Sequence, residues 1–347
     1  MKLANIQNKW FKQKDIERSE VVREKDTKKR NVFWVFVSKE ITDYLSSWRI
    51  IILLAILLLT CIGSLYTAVT TISDALDAYK DASQIGRNSY LFLQIFTISD
   101  GSLPSFVSFV SFLGPLLGIA LGFDAINGER GRGTLSRLLA QPIPRDYVIN
   151  AKFVAALIIN VILFFALGLL VMAFGILMLG ITPSLDEFLR VMSFIGLIIV
   201  YIAFWLNLAI LFSVIFKQQA TSALSTIAIW LFYNVFFSII VNLFTKSYLT
   251  NVASEGEYVN RVNAILNVYR FSPNYLFQEM TTVLLSPTTR TTGLMTMEQV
   301  VGSIASPLKL QASLSLIWPQ ITGLIAATFI CFTIAYVTFT RQEIRAN

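Results

Sequence analysis

Ionisable side chains are scarce in this sequence, and one long run of them is wedged between two apolar stretches: FDAINGERGRGTLSRLLAQPIPRDYVINAK, from Phe123 to Lys152. It contains Glu129, Arg130, Arg132, Arg137, Arg145, Asp146 and Lys152, together with a Gly-Thr-Leu and a Pro-Ile-Pro-Arg. Such residues could cradle phosphate, exchange protons or dock on a partner. GERGRGTL is glycine-rich, but it lacks the Gly-Lys-Ser/Thr ending of a phosphate loop and follows an apolar run instead of a strand, so nucleotide binding is not expected of this chain. Histidine is absent, which removes the commonest zinc ligand and the commonest neutral-pH proton shuttle. Cys61 and Cys331 both sit in apolar runs and read as small packing residues. Met-x-Met at Met295 and Met297, with Met280 nearby, could ligate Cu(I), but apolar packing is the default reading and no metal site is expected.

What remains for the charged run is mechanical. Gly128, Gly131 and Gly133 loosen the chain. Thr134 to Ala140 suits a short amphipathic helix with Leu135, Leu138 and Leu139 on one side, and Pro142 and Pro144 stop it. A short helix with apolar knobs can pass force to a protein beneath it. On residue type alone, an ordinary charged turn is an equally good reading.

The elements that must position this run are membrane spans. The chain is 55% hydrophobic and 14% charged, with a mean hydropathy of +0.65, against about 25% charged in a soluble domain. Six apolar runs, at about 49–72, 103–123, 153–180, 191–216, 220–244 and 319–340, each reach the roughly 20 residues that cross a hydrocarbon core. The expected fold is all-α: a six-helix polytopic membrane protein comprising residues 49–347, with the charged loop at 124–152 and a long excursion at 245–318. Residues 32–48, VFWVFVSKEITDYLSSW, carry too many charges to span and suit an interfacial elbow helix, with Trp34 and Trp48 at headgroup level and Lys39, Glu40 and Asp43 between them. Residues 1–31, with ten Lys or Arg and five Asp or Glu, read as a solvated tail drawn to anionic lipid heads.

Orientation follows from Lys and Arg, of which 20 of 28 fall on one side if the N-terminus is inside. Both termini and the charged loop are therefore expected in the cytoplasm of a cell-membrane protein. Within the long outer excursion, Val259, Val262, Ile265 and Leu266 mark one helix, and Ser272-Pro273 starts another. Both are expected at the outer surface, ahead of a Thr-rich linker, Thr288 to Thr296.

Apart from Arg49 at the edge of the first, none of the six runs contains Asp, Glu, Lys, Arg or His. Ion-driven carriers keep such groups at membrane depth, so the energy source is expected outside the bundle. The spans offer amides, notably Asn207, Asn234 and Asn242. Interhelical pairing, worth about 0.6 kcal/mol each, is their first reading and lining a pathway their second.

Glu129…Gly133-Thr134-Leu135…Leu138-Leu139…Pro142-Ile143…Arg145…Lys152 resembles the permease subunits of type 2 ATP-binding-cassette exporters. FVSKEITDYLSSWR before the first span looks like that family's elbow, and FSPNYLFQE before the last span is also similar. The resemblance implies that the inner loop is a coupling helix seated on a separate cytoplasmic ATPase subunit, with Glu129, Gly133, Thr134, Leu135, Leu138, Leu139, Pro142, Arg145 and Lys152 as its positions. It also implies a second permease copy, a pathway lined by the first, second and fifth spans, and ATP with Mg held by the partner and not by this chain. This chain is then not itself an enzyme; it works among membrane lipids and binds no nucleic acid. The alternative from another class is a scaffold or channel-like subunit with no ATPase.

Overall fold

The computed structural model describes residues 32–79, 90–140, 144–180, 182–250, 254–289, 292 and 307–342, without the side chains of 75–79 and 137–139. The charged tail, Pro142 and most of the Thr-rich linker lie outside the described residues. Every described element is helical. Helix α1 covers residues 32–45, the expected elbow position. It is followed by α2 (Trp48–Tyr79), α3 (Leu91–Thr97), α4 (Phe106–Gly122), α5 (Asn127–Gly131), α6 (Thr134–Leu139), α7 (Arg145–Leu179) and α8 (Leu185–Ile215). The next span is α9 (Gln219–Leu231), a π-helical turn (Phe232–Phe236) and α10 (Phe237–Tyr248). Then come α11 (Glu255–Tyr269), α12 (Pro273–Leu285) and α13 (Leu310–Arg341). Six helices are long and apolar enough to cross a membrane: α2, α4 with its extension, α7, α8, α9–α10 and α13.

α8 is the axis of the bundle. Of its apolar stretch 83% is buried inside the chain, against 11% for α9–α10, as suits a helix that is apolar all round. It packs on α4, α7, α9, α12 and α13. Its junction with α4 is built from Gly114, Gly118 and Gly122, one glycine every fourth residue and so on one face. A Cβ at Gly122 would lie 2.7 Å from the Leu206 carbonyl oxygen, and one at Gly118 2.9 Å from that of Ile202. Backbone therefore touches backbone, the contact that small residues permit in membranes.

Pro115 lies inside α4 and cannot donate to the carbonyl four residues back, that of Ser111. Tyr201 of α8 donates its hydroxyl to that oxygen at 3.1 Å, so the break is repaired from a neighbouring helix.

Two features differ from expectation. The medium loop after the first span contains α3, which buries Phe92, Leu93, Ile95 and Phe96, and Gly175 of α7 leaves the room that Ile95 fills. α11 buries no residue, but the pair α11–α12 folds back along the bundle. α11 runs back along α10, with Arg261 donating to the Tyr248 carbonyl (2.6 Å) and, farther down, Tyr269 donating to Asn242 (2.9 Å). The chain turns at Arg270–Ser272, and α12 climbs beside α8, with Phe277 stacked on Tyr201 (4.3 Å) and Leu284 accepting from Arg190 (2.9 Å). The hairpin therefore re-enters to about the middle of α8. Its starting signals, a Ser cap and Pro at N1, are the same at any depth. The apolar face of Phe277, Met280, Val283 and Leu284 shows the depth only once it meets α8.

Ionisable groups are consequently less remote from the bundle than the six apolar runs imply. α7 begins at Arg145, so Lys152 becomes buried. The hairpin carries Arg270, paired with Glu279 at 2.7 Å, and Gln320 of α13 donates to the same carboxylate at 3.1 Å.

Candidate functional site

At the end of the bundle that carries α1, the charged loop is pinned by its neighbours. The backbone N–H groups of Ile126 and Asn127, at the start of α5, both donate to Ser213 Oγ of α8 (2.9 and 3.2 Å). The Asn127 side chain donates to the Gln218 carbonyl (3.3 Å). These bonds satisfy donors that a helix start leaves open. Gly133 turns the chain at φ +69°, a conformation that costs glycine little, and α6 follows. Thr134 donates its hydroxyl to the Glu129 carbonyl (3.2 Å). Leu135 is 1% exposed and anchors α6 to the bundle instead of projecting from it. Thr134 is exposed.

The centre of the site is an ion triad. Lys152 Nζ of α7 lies 2.8 Å from Glu40 Oε2 of α1 and 2.8 Å from Glu129 Oε1 of α5. All three residues are buried. Two carboxylates share one ammonium, and Glu129 Oε2 is buried with no hydrogen-bond partner among the described residues. Taking charges out of water is unfavourable unless they are paired, so the triad holds only while elbow, loop and span stay together.

Further ties radiate from the loop. Arg49 of α2 meets Asp124 at 2.6 Å and lies over the Phe123 ring. Arg130 donates to Gln342 Oε1 beyond α13 (2.6 Å), and Arg145 donates to the Gln342 carbonyl (3.4 Å). Gln342 in turn donates to the Val214 carbonyl of α8 (3.2 Å). The loop is therefore bonded to α1, α2, α7, α8 and the end of α13.

A cleft of about 660 Å³ opens beside the triad, between α1, the start of α2, the end of α4 and α5. Its field is negative around Tyr44. Burial, then the charges of Glu40, Asp124, Glu129 and Asp43, holds that hydroxyl well above the usual tyrosine range. Burial alone would lower the Lys39 pKa, but Glu40, Asp43 and Glu129 outweigh it and leave it raised.

Of the residues singled out in the sequence, Glu129 and Lys152 join Glu40, which was marked only as part of the elbow. Trp34 and Trp48 are exposed. Lys39 and Asp43 pair at 3.2 Å on the open side of α1. Leu138 and Leu139 belong to α6, but their side chains lie outside the described residues, as does Pro142. The amides are elsewhere. Asn234, in the π-turn, accepts from Asn274 of α12 (2.8 Å), and Asn274 in turn accepts from Ser111 of α4 (2.8 Å) and Tyr201 of α8 (3.2 Å). Asn242 accepts from Tyr269. Both pair helices. Asn207 is buried with neither amide atom bonded among the described residues.

Sequence reasoning missed Ser213, Arg49, Asp124, Gln342 and Asn274. Ser213 and Asn274 look like any polar residue in an apolar run or loop, whereas Arg49 and Asp124, one at each inner span boundary, could have been matched as opposite charges.

Residues 34–344 match the family model described as ABC-2 family transporter protein. The chain belongs to the ABC-2 transporter family. As a member of that family with six apolar helices, it is a multi-pass membrane protein. It is 31% identical over 153 residues, 44% of this chain and 48% of the relative, to a protein of Stutzerimonas stutzeri named probable ABC transporter permease protein NosY. It is 33% identical over 123 residues, 35% of this chain and 38% of the relative, to the protein of the same name from Pseudomonas aeruginosa. The chain thus spans less than half the length of each of these ABC-2 relatives in the matched segments.

Proposed function

We propose that this chain is the permease subunit of an ABC transporter, and that the loop at 124–152 receives motion from a separate ATPase that binds ATP and Mg. The observation that carries this reading is the Lys152 triad with its surrounding ties: a push on α6 is delivered at once to α1, α2, α7, α8 and α13. A ligand in one subunit would thereby shift a two-state equilibrium in another. Two copies of the permease, homo- or heterodimeric, would enclose the pathway, and transport would run outward, from a cytoplasmic loop face to the hairpin side. The names of the ABC-2 relatives favour a permease over the scaffold alternative.

Thr134, exposed at the α5–α6 turn, is where an ATPase would touch. Co-expression with a candidate ATP-binding-cassette ATPase should give a complex that survives purification. Thr134→Trp should lower ATPase recovery about tenfold, the loss of one well-packed contact, with the permease still monodisperse. A wild-type permease that never retains an ATPase would end this reading.

A further inference from the structure

The cleft beside the triad has a charge pattern and a position that pinning the loop does not use. Its volume, about 660 Å³, is that of a small-ligand pocket, for which roughly 300–1,000 Å³ is usual. Four cationic and four anionic side chains line it, so its formal charge is zero. Most of them are matched to each other: Lys39 with Asp43, Arg49 with Asp124, Lys152 with both glutamates.

Two groups are left over. Glu129 Oε2 is a buried acceptor without a donor, and the Arg132 guanidinium has no carboxylate partner among the described residues. A ligand that completes both must offer an N–H cation to one and an anion to the other while remaining neutral overall. The position adds a third requirement. Trp34 and Trp48 are exposed on and just after α1, and Ile51, Ile52 and Ile56 are exposed on α2 directly beyond Arg49, which lines the cleft. An apolar strip thus leaves the polar cleft along a membrane helix.

We propose that this cleft binds the headgroup of a phosphatidylethanolamine-type lipid from the leaflet in which α1 lies. The primary ammonium donates to Glu129 Oε2, where the surrounding carboxylates favour a cation. The phosphate takes Arg132, with the exposed Lys39 and Arg49 side chains at the rim, and the acyl chains follow the isoleucines. A choline headgroup has no N–H to donate, and a glycerol headgroup donates only from neutral hydroxyls and leaves the lipid anionic, so neither pairs with Glu129 as an ammonium does. A segment of a soluble partner could reach the charges but would have no use for the apolar strip. The lipid also rests on the side of the triad that joins elbow to loop, so it would hold the two together whether or not an ATPase acts below.

Native mass spectrometry of the delipidated full chain, titrated with phosphatidylethanolamine, phosphatidylcholine and phosphatidylglycerol of identical acyl chains, tests this. One ethanolamine lipid should bind about tenfold tighter than either of the others, the value of one hydrogen bond to a charged group. Glu129→Gln should erase that preference, whereas Arg132→Ala should weaken all three lipids about equally, since each carries the phosphate. Equal affinity for the three lipids, tightest binding of phosphatidylglycerol, or a preference that persists in Glu129→Gln would overturn the proposal. So would a Glu129→Gln variant that sheds a co-purifying ATPase while ranking the lipids as wild type does, because the cleft would then belong to that protein. The wild-type ranking needs no variant to fold, and a failure of the ATPase reading leaves it intact.

Discussion

A buried lysine between two glutamates is stable only as a set. Lys152→Met leaves Glu40 and Glu129 without their ammonium, and removing one partner of a buried pair costs about 3–5 kcal/mol. Adding Glu40→Gln and Glu129→Gln should return most of that loss, because replacing all the buried charges is nearly neutral. Thermal melts of the purified single and triple variants measure it, and identical midpoints for the two would show that no charge clamp exists. The sequence marks Glu129 and Lys152 as charged members of one loop and Glu40 as an elbow charge. Their meeting is not readable from it, since Lys152 and Glu40 are 112 residues apart and no local periodicity relates them. Leu135 shows the same limit: an apolar residue on a short amphipathic helix can face a partner or its own bundle, and here it faces the bundle.

At the scale of elements, the close approach of α4 to α8 makes those two helices one body. Gly122→Ala should lower the melting temperature, with a cost of about 1–3 kcal/mol, because the new methyl meets the Leu206 carbonyl and Ala209 Cβ, at 2.7 and 2.8 Å. Gly196→Ala, with nothing within 4 Å of the added carbon, should be neutral or raise stability by up to about 1 kcal/mol. A melt in which both variants behave alike would remove the glycine row from the account. The six spans and their helical type were legible because runs of about 20 apolar residues have few other uses. The re-entrant hairpin was not, because its amphipathic faces are those of a surface helix until α8 and α10 supply the other side. The π-turn at Phe232–Phe236 leaves no mark in the residue pattern either. Such turns gather at functional sites, and this one places Asn234 against Asn274.

For the whole molecule, the loop end and the hairpin end are predicted to lie on opposite sides of the membrane, with the loop end inside. In a chain whose Cys61 and Cys331 are replaced, Gly256→Cys at the exposed start of α11 should react with an impermeant thiol reagent on intact cells. Thr134→Cys should react only after permeabilisation; the reverse pattern would invert the orientation. The hairpin end also carries Arg190, fully buried. Besides Asp186 on its own helix, its guanidinium donates to the Leu284 carbonyl, Ser313 Oγ and the Leu308 carbonyl, which lie 94, 123 and 118 residues further along the chain. During synthesis, therefore, α8 waits in the bilayer with a cation that nothing yet made can fully satisfy, and it is completed only when the start of α13 emerges. A chain that stops short of the last span leaves Arg190 with Asp186 as its carboxylate partner and its bond to Ser313 unmade.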